Sequence, residues 1–224
     1  MKFIKYADRE MLAIDLANVL AGELENCLFQ HDHASFAVPG GTTPGAVFDI
    51  LCAADLDWSR VHVFLTDERW VPEDHPRSNA RLVRERLLVN RAEKAVFVPF
   101  FRGGATPEDD MAEVAEAMAG ELPVSLMLLG LGADMHTASL FPGAEGLEAA
   151  LARDAAPVVP IRGGGATEPR VSLSLPVIRG AMDRHIVIFG GDKRQAMDRA
   201  VRTGDPMEAP AAAVLPGTKV HWAE

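Results

Sequence analysis

Two rhythms alternate along the chain: short apolar runs, and longer stretches in which apolar side chains recur every third or fourth residue. The first long stretch, residues 9 to 24, sets Leu12, Leu16, Val19 and Leu20 at helical spacing. Ser35-Phe36-Ala37-Val38 is the first short run and ends in Pro39-Gly40-Gly41. Pro44 then opens a helix to about Ala54, in a first turn where a missing N–H costs nothing. Val61 to Leu65 is the next strand, and Ser78 can cap a helix from Asn79 to Leu88. Ala95 to Val98 reads as a strand, and Pro107 to Gly120 as a helix with Met111, Val114, Ala115 and Met118 on one side. Ser125 to Leu129 ends in Gly130; Arg170 to Leu175 alternates like a strand before Pro176 starts a short helix. His185 to Phe189 ends in Gly190-Gly191, a helix runs from about Lys193 to Arg202, and His221-Trp222 closes a last strand. Apolar strands without alternation, separated by helices, predict a mainly parallel α/β sheet covered on both faces.

Composition narrows the possibilities. The chain has 224 residues, enough for one large domain spanning 1–224, and there is no internal repeat or low-complexity tract. Hydrophobic residues make up 48% and charged ones 24%, which excludes a disordered chain. Acids outnumber bases 32 to 22, a net charge of −10, so neither nucleic acid nor an anionic membrane is an expected partner. An anionic substrate would need a local cluster of cations. Cys27 and Cys52 form no C-x-x-C pair and read as buried free thiols. No cleavable leader and no long apolar span is visible, so a cytoplasmic location is expected. Arg162-Gly163-Gly164-Gly165-Ala166 reads as a mobile loop inside the domain.

In an open parallel sheet, ligands bind beyond the carboxyl ends of the strands. Four of these strands end in unusual sequence: Gly40-Gly41-Thr42-Thr43-Pro44, Thr66-Asp67-Glu68-Arg69-Trp70, Gly130-Leu131-Gly132-Ala133-Asp134-Met135-His136, and Gly190-Gly191-Asp192-Lys193. Gly40 and Gly41 would let backbone N–H groups approach an anion at a helix start, with Thr42 adding a hydroxyl. A plain strand-to-helix turn would look the same. Neither a P-loop, nor G-x-G-x-x-G, nor a G-x-S-x-G elbow is present. Lys193 and Arg170 are the candidate cations for a phosphate, with Arg69 able to meet either phosphate or rim carboxylates. His136 suits general-base work near neutral pH, and Asp134 and Asp67 could orient it. The converse, Asp67 as base and His136 as a ring-oxygen ligand, stays open. His31-Asp32-His33 reads as a polar turn, His62 as a strand residue, and Glu108-Asp109-Asp110 as a first helical turn. No Cys/His cluster has zinc spacing, so neither metal nor cofactor is expected.

Taken in order, these segments resemble the 6-phosphogluconolactonase family, in the same fold group as glucosamine-6-phosphate deaminase and isomerase. The resemblance rests on Pro39 to Pro44, Phe64 to Pro72, Ser78-Asn79, Gly130 to Gly143, Arg170 to Pro176 and Gly191-Asp192-Lys193. It implies a single Rossmann-like, doubly wound domain that holds no nucleotide. It also implies hydrolysis of 6-phosphoglucono-δ-lactone to 6-phosphogluconate in the pentose phosphate pathway, by a monomer or small homo-oligomer. Met135 stands where the family loop usually has glycine, and a positive φ there would strain it. Arg77 stands where an acid commonly precedes Ser78-Asn79. Two other readings are an amino-sugar-phosphate deaminase/isomerase and a non-catalytic sugar-phosphate-binding protein. The deaminases resemble Asp-Glu-Tyr and an acid-Pro ending where this chain has Arg69 and Phe141-Pro142, which favours the lactonases.

Overall fold

A computed structural model describes residues 1–224. The chain runs β1 (Lys2–Lys5), α1 (Arg9–Leu28), β2 (Ala34–Val38), α2 (Gly45–Leu51), β3 (Val61–Leu65), β4 (Asp67–Arg69), α3 (Asn79–Arg86) and β5 (Val96–Val98). It continues through α4 (Pro107–Ala119), β6 (Leu126–Leu129), α5 (Leu147–Leu151), β7 (Val158–Ile161), β8 (Arg170–Leu173) and α6 (Leu175–Gly180). It ends with β9 (Asp183–Phe189), α7 (Gly190–Thr203), α8 (Pro210–Val214) and β10 (Lys219–Ala223).

Seven strands form one parallel sheet in the order β1-β10-β9-β6-β2-β3-β5. From β2 the chain steps outward through β3 to β5, then returns to β6 and steps outward the other way. The order therefore reverses between β2 and β6, which opens a crevice at their carboxyl ends. Every residue of β2 and of β6 is buried, as the unbroken apolar runs require of strands covered on both faces. Helix α1 packs on β2, β6 and β10 and against α2. Its buried side is Leu12, Ala13, Leu16, Ala17, Leu20, Leu24 and Leu28. Each fully buried leucine contributes about 1.5–3 kcal/mol relative to exposure. Asp8 starts the helix by accepting the Met11 N–H at 2.8 Å.

The structure departs from the sequence pattern at several points. Val19 is 38% exposed and lies off the buried stripe of α1, and the helix continues past residue 24 to Leu28. Segment 190–193 is the first turn of α7 rather than a loop before it. Arg170–Leu173 belongs to a second, three-stranded antiparallel sheet, β4-β8-β7. That strand stops at Leu173 because α6 begins there, with Ser174 at its N-cap position and Pro176 in its first turn. Thr66 joins the two sheets, its N–H donating to the Val38 carbonyl and its carbonyl accepting from the Leu173 N–H, both at 2.9 Å. Cys52 is buried but Cys27 only half so, and both are free. No helix is long and apolar enough to cross a membrane.

Candidate active site

The loops leaving β2, β3 and β6 meet the first turn of α7, which follows β9 directly, at the crevice. There a pocket of about 270 Å³ brings together Gly40, Gly41, Thr42, Asp67, Arg69, His136, Arg170 and Lys193, with Asn79 beside them. Of the residues singled out from sequence, Asp134 alone does not line it, but Asp134 touches His136 from behind. The lining is almost wholly polar or glycine, which suits a hydrated, charged ligand rather than an apolar one.

His136 is aimed by its own loop. The turn closes through Gly132 N–H donating to the His136 carbonyl at 2.8 Å and Met135 N–H donating to the Gly132 carbonyl at 3.0 Å. Outside supports are Thr137 Oγ1, donating to the Gly130 carbonyl at 2.8 Å, and Arg199, donating to the Ala133 carbonyl at 2.6 Å. Met135 does adopt a left-handed backbone, φ 70°, and its carbonyl accepts from the Ala211 N–H at 3.0 Å. The Asp134 carboxylate makes a short hydrogen bond with His136 Nδ1, and the imidazole packs on Phe141 at 4.3 Å between centroids. Burial pushes the Asp134 carboxyl up, but the His136 hydrogen bond and charge outweigh it and hold the pKa below its usual value. An ionised Asp134 accepts from Nδ1–H, which leaves the lone pair on Nε2.

Asp67 has other partners. Its carboxylate accepts from Ser139 Oγ at 2.6 Å and Thr66 Oγ1 at 3.1 Å and lies 3.7 Å from Arg170 Nη1. Arg170 also donates to Ser139 Oγ at 3.4 Å and lies over the Phe141 ring. Burial lowers the Arg170 pKa, and Asp67 opposes that. The side chain still has an unpartnered buried Nε, as does Arg69, whose Nη1 donates to the Arg77 carbonyl. Lys193 is half-buried in the first turn of α7; burial lowers its pKa, with Asp134 and Asp192 opposing. Arg77 pairs with Glu168 at 2.9 Å instead of lining this pocket.

Three residues of the site were not read from the sequence as such. Ser139 bridges Asp67 and Arg170. Asn79 donates to the Asp67 carbonyl at 2.8 Å and leaves Oδ1 unpartnered; a Cβ on Gly40 would fall 1.8 Å from that oxygen, so Gly40 is bare to admit Asn79. Glu68, buried behind the rim, accepts from the backbone N–H groups of Arg69, Asn79 and Ala80 and from Ser78 Oγ. The signal for Asn79 was its place after a capping serine; Glu68 and Ser139 stood inside segments already marked, Thr66 to Trp70 and Gly130 to Gly143, but nothing in those segments set them apart from their neighbours.

The pattern of the family described as glucosamine-6-phosphate isomerases/6-phosphogluconolactonase matches residues 7–222. The chain is 40% identical over 223 residues to a 6-phosphogluconolactonase of Mesorhizobium japonicum, covering 97% of this chain and 93% of that one. A 6-phosphogluconolactonase of Pseudomonas aeruginosa is 36% identical over 211 residues, 92% of this chain and 88% of the relative. The crystal structure of a 6-phosphogluconolactonase from Shewanella baltica superposes with a TM-score of 0.97 at 33% identity, covering 100% of this chain and 98% of its own. A monomeric glucosamine-6-phosphate deaminase shares the fold, with a TM-score of 0.81 at 16% identity over 99% of this chain and 97% of its own.

Proposed function

The chain belongs to the glucosamine-6-phosphate isomerase/6-phosphogluconolactonase family, and from that premise we propose that its crevice hydrolyses 6-phosphoglucono-δ-lactone to 6-phosphogluconate with His136 as the general base. The observation that carries the assignment of roles is the Asp134–His136 pair, which leaves Nε2 as the basic nitrogen of a histidine lining a cation-rimmed pocket. Asp67, engaged by Ser139, Thr66 and Arg170, is the weaker candidate base and serves to hold Arg170 in place.

The reaction needs neither a covalent nucleophile nor a redox step. His136 Nε2 takes a proton from water as its oxygen bonds to the lactone carbonyl carbon, and the carbonyl electrons move onto oxygen. In this reading N–H groups of the Gly40–Gly41 turn, which lines the pocket, meet that oxyanion. Collapse of the tetrahedral intermediate breaks the ring C–O bond, and the imidazolium returns its proton to the leaving oxygen. The new carboxylic acid then ionises. The 6-phosphate lies among Thr42, Arg170 and Lys193, with Arg69 at the rim, so that binding energy far from the carbonyl fixes the ring.

The test is product formation from freshly prepared lactone, corrected for spontaneous hydrolysis. His136→Asn keeps a hydrogen-bonding side chain but removes the proton acceptor, so kcat should fall roughly 10²–10⁴-fold. Near-full turnover in that variant, with turnover lost in Asp67→Asn, would reverse the two roles. Glucosamine 6-phosphate offered to the same protein should release no ammonia.

A further inference from the structure

At the opposite ends of the same strands lies a cluster the reaction does not use. Strands β2 and β3 pair with Ala34 opposite Val61 and Ser35 opposite His62. His33, just before β2, therefore sits beside His62. On the other flank of β2 is β6, and Glu121 lies in the turn that leads into it from α4. The lactonase loops leave the carboxyl ends of these strands; His33, His62 and Glu121 gather at the amino ends. From this juxtaposition we propose that His33, His62 and Glu121 form a second site, which binds one divalent transition-metal ion of the zinc class.

The ligand atoms of the three side chains all lie within 4.8 Å of one another. His62 Nδ1 is 2.9 Å from Glu121 Oε1, and His33 Nε2 is 3.5 Å from Glu121 Oε2. The second separation is too long for a good hydrogen bond, and Oε2 has no partner. Yet Glu121 is only 9% exposed. A carboxylate oxygen kept from water and left without a donor is costly, and such a group asks what normally satisfies it. Its main chain is pinned, the Glu121 carbonyl accepting from Ser35 Oγ at 2.9 Å, so the side chain is not free to swing out with its backbone.

No protein cation fills the role. The cleft over Glu121, about 280 Å³, is lined by His31, Asp32 and His33 but by no lysine or arginine. Nearby Arg60 spends its donors on the main-chain carbonyls of Leu28, His31 and Asp32. The cleft thus offers the imidazoles of His31 and His33 and the carboxylates of Asp32 and Glu121, while His62, which does not line it, reaches Glu121 Oε1.

Two imidazoles with one carboxylate are a borderline donor set that suits zinc, cobalt, nickel or copper better than magnesium or calcium. Zinc bonds of about 2.0–2.2 Å in a tetrahedron place neighbouring ligand atoms about 3.3 Å apart, so the three groups must draw in modestly. The two rings are stacked, with centroids 4.3 Å apart and planes 19° from parallel. Their lone pairs run side by side, so coordination requires one ring to turn. His33 is the one able to do so, being outside the strand and the more exposed of the pair. Water or Asp32 completes the shell. The ion would tie β2, β3 and the α4–β6 turn together, as a structural clamp remote from the chemistry. No spacing along the chain marks this cluster, because His33 and His62 are brought together by strand pairing rather than by a C/H spacing.

Chelator-treated whole protein is titrated with Zn²⁺ by calorimetry, and with Co²⁺ by visible absorption, which reports low coordination number. The expected result is one equivalent bound and a Tm raised by Zn²⁺. His33→Ala, on the exposed ligand, and Glu121→Gln, which keeps the shape and an acceptor for His62, should each weaken binding at least about tenfold, since even outer-shell partners are worth about 10–100-fold. In both variants Zn²⁺ should no longer raise Tm, while lactonase kcat matches the parent. His136→Asn should retain the bound equivalent. Absence of stoichiometric binding overturns the proposal. So does binding that survives both substitutions, or that disappears in His136→Asn, which would move the ion into the lactonase pocket.

Discussion

Gly132 has an unremarkable backbone, yet no larger residue fits there: a Cβ would lie 2.0 Å from His136 Nδ1 and 2.3 Å from Asp134 Oδ1. Gly132→Ala should therefore leave the fold intact and push the imidazole off its carboxylate. Misplacement of a catalytic group by about 1 Å can cost about 10²-fold, so kcat should drop on that scale with Tm nearly unchanged; a large loss of Tm with normal kcat would show that the glycine serves folding instead. Lys193 carries a different expectation, because in the proposed reaction its charge meets the phosphate. Lys193→Ala should raise KM for the phosphorylated lactone by about 2–5 kcal/mol, the range for a desolvated charge pair, and change KM for unphosphorylated gluconolactone far less. Equal effects on both substrates would remove Lys193 from the phosphate site. These residues were legible because each stands in a glycine-rich or polar ending of an apolar strand. Ser139 was not, because Asp67, which it binds, is 72 residues away, and Ser172, which accepts its N–H, is 33 away. Nothing within its own run of Thr137-Ala138-Ser139-Leu140 marks it.

Helix α3 shows how one buried carboxylate organises an element. Ser78 Oγ accepts from the Arg81 N–H as the sequence suggested, but the larger cap is Glu68, whose two oxygens take the Asn79 and Ala80 N–H groups at 2.8 Å. Burial raises the Glu68 pKa while these hydrogen bonds oppose it. With four donors converging on two oxygens, the ionised form is the one the geometry fits. Glu68→Gln turns an amide NH₂ toward some of those donors and should destabilise the protein by about 1–3 kcal/mol, the cost of unsatisfied buried groups, measured by urea unfolding. An unchanged midpoint would mean that Glu68 is already protonated. Because α3 carries Asn79 to the pocket, KM should rise as well. The long helices and the central strands were visible in the pattern, since many residues vote for each. The strands that were missed are short: β4 has three residues, β1 and β7 four. β1 lies at the sheet edge with lysines at both ends, and in β7, on an edge of the small sheet, Pro160 breaks the Val158-Val159-Ile161 run with a residue that argues against a strand.

At the scale of the whole molecule, the candidate active site occupies the carboxyl end of the sheet, and a separate polar chain staples its β1-β10-β9 flank. Tyr6 OH hydrogen-bonds His221 Nδ1 at 2.9 Å, His221 Nε2 hydrogen-bonds His185 Nδ1 at 3.0 Å, and His185 Nε2 hydrogen-bonds Glu23 Oε2 at 2.7 Å. Lys219 closes the chain on Glu23 and Asp183, at 2.6 and 2.9 Å. Both imidazoles are essentially sealed from water, and each of their ring nitrogens has one hydrogen-bond partner within the series. Burial, with His185 adding to it, drives the His221 pKa down to about 3. The sign follows from linkage. Between about 6.5 and 3 the unfolded chain binds a proton that His221 in the folded chain refuses, so the stability present above pH 6.5 is lost as pH falls toward 3. Glu23 contributes in the same direction at lower pH: burial raises its pKa, but His185 and Lys219 outweigh that and leave it lowered. The histidine effect begins first, where ordinary carboxylates are still ionised. By pH 5 it should amount to about 2 kcal/mol, near the limit of about 1.4 kcal/mol per pH unit for one proton. His221→Gln removes the titrating ring; the variant will be less stable at neutral pH, having broken the series. The quantity to compare is the slope of unfolding free energy between pH 6.5 and 5, steep in the parent and flatter in the variant. Parallel slopes would mean that the buried pair accepts its proton in the folded state and that acid sensitivity arises elsewhere.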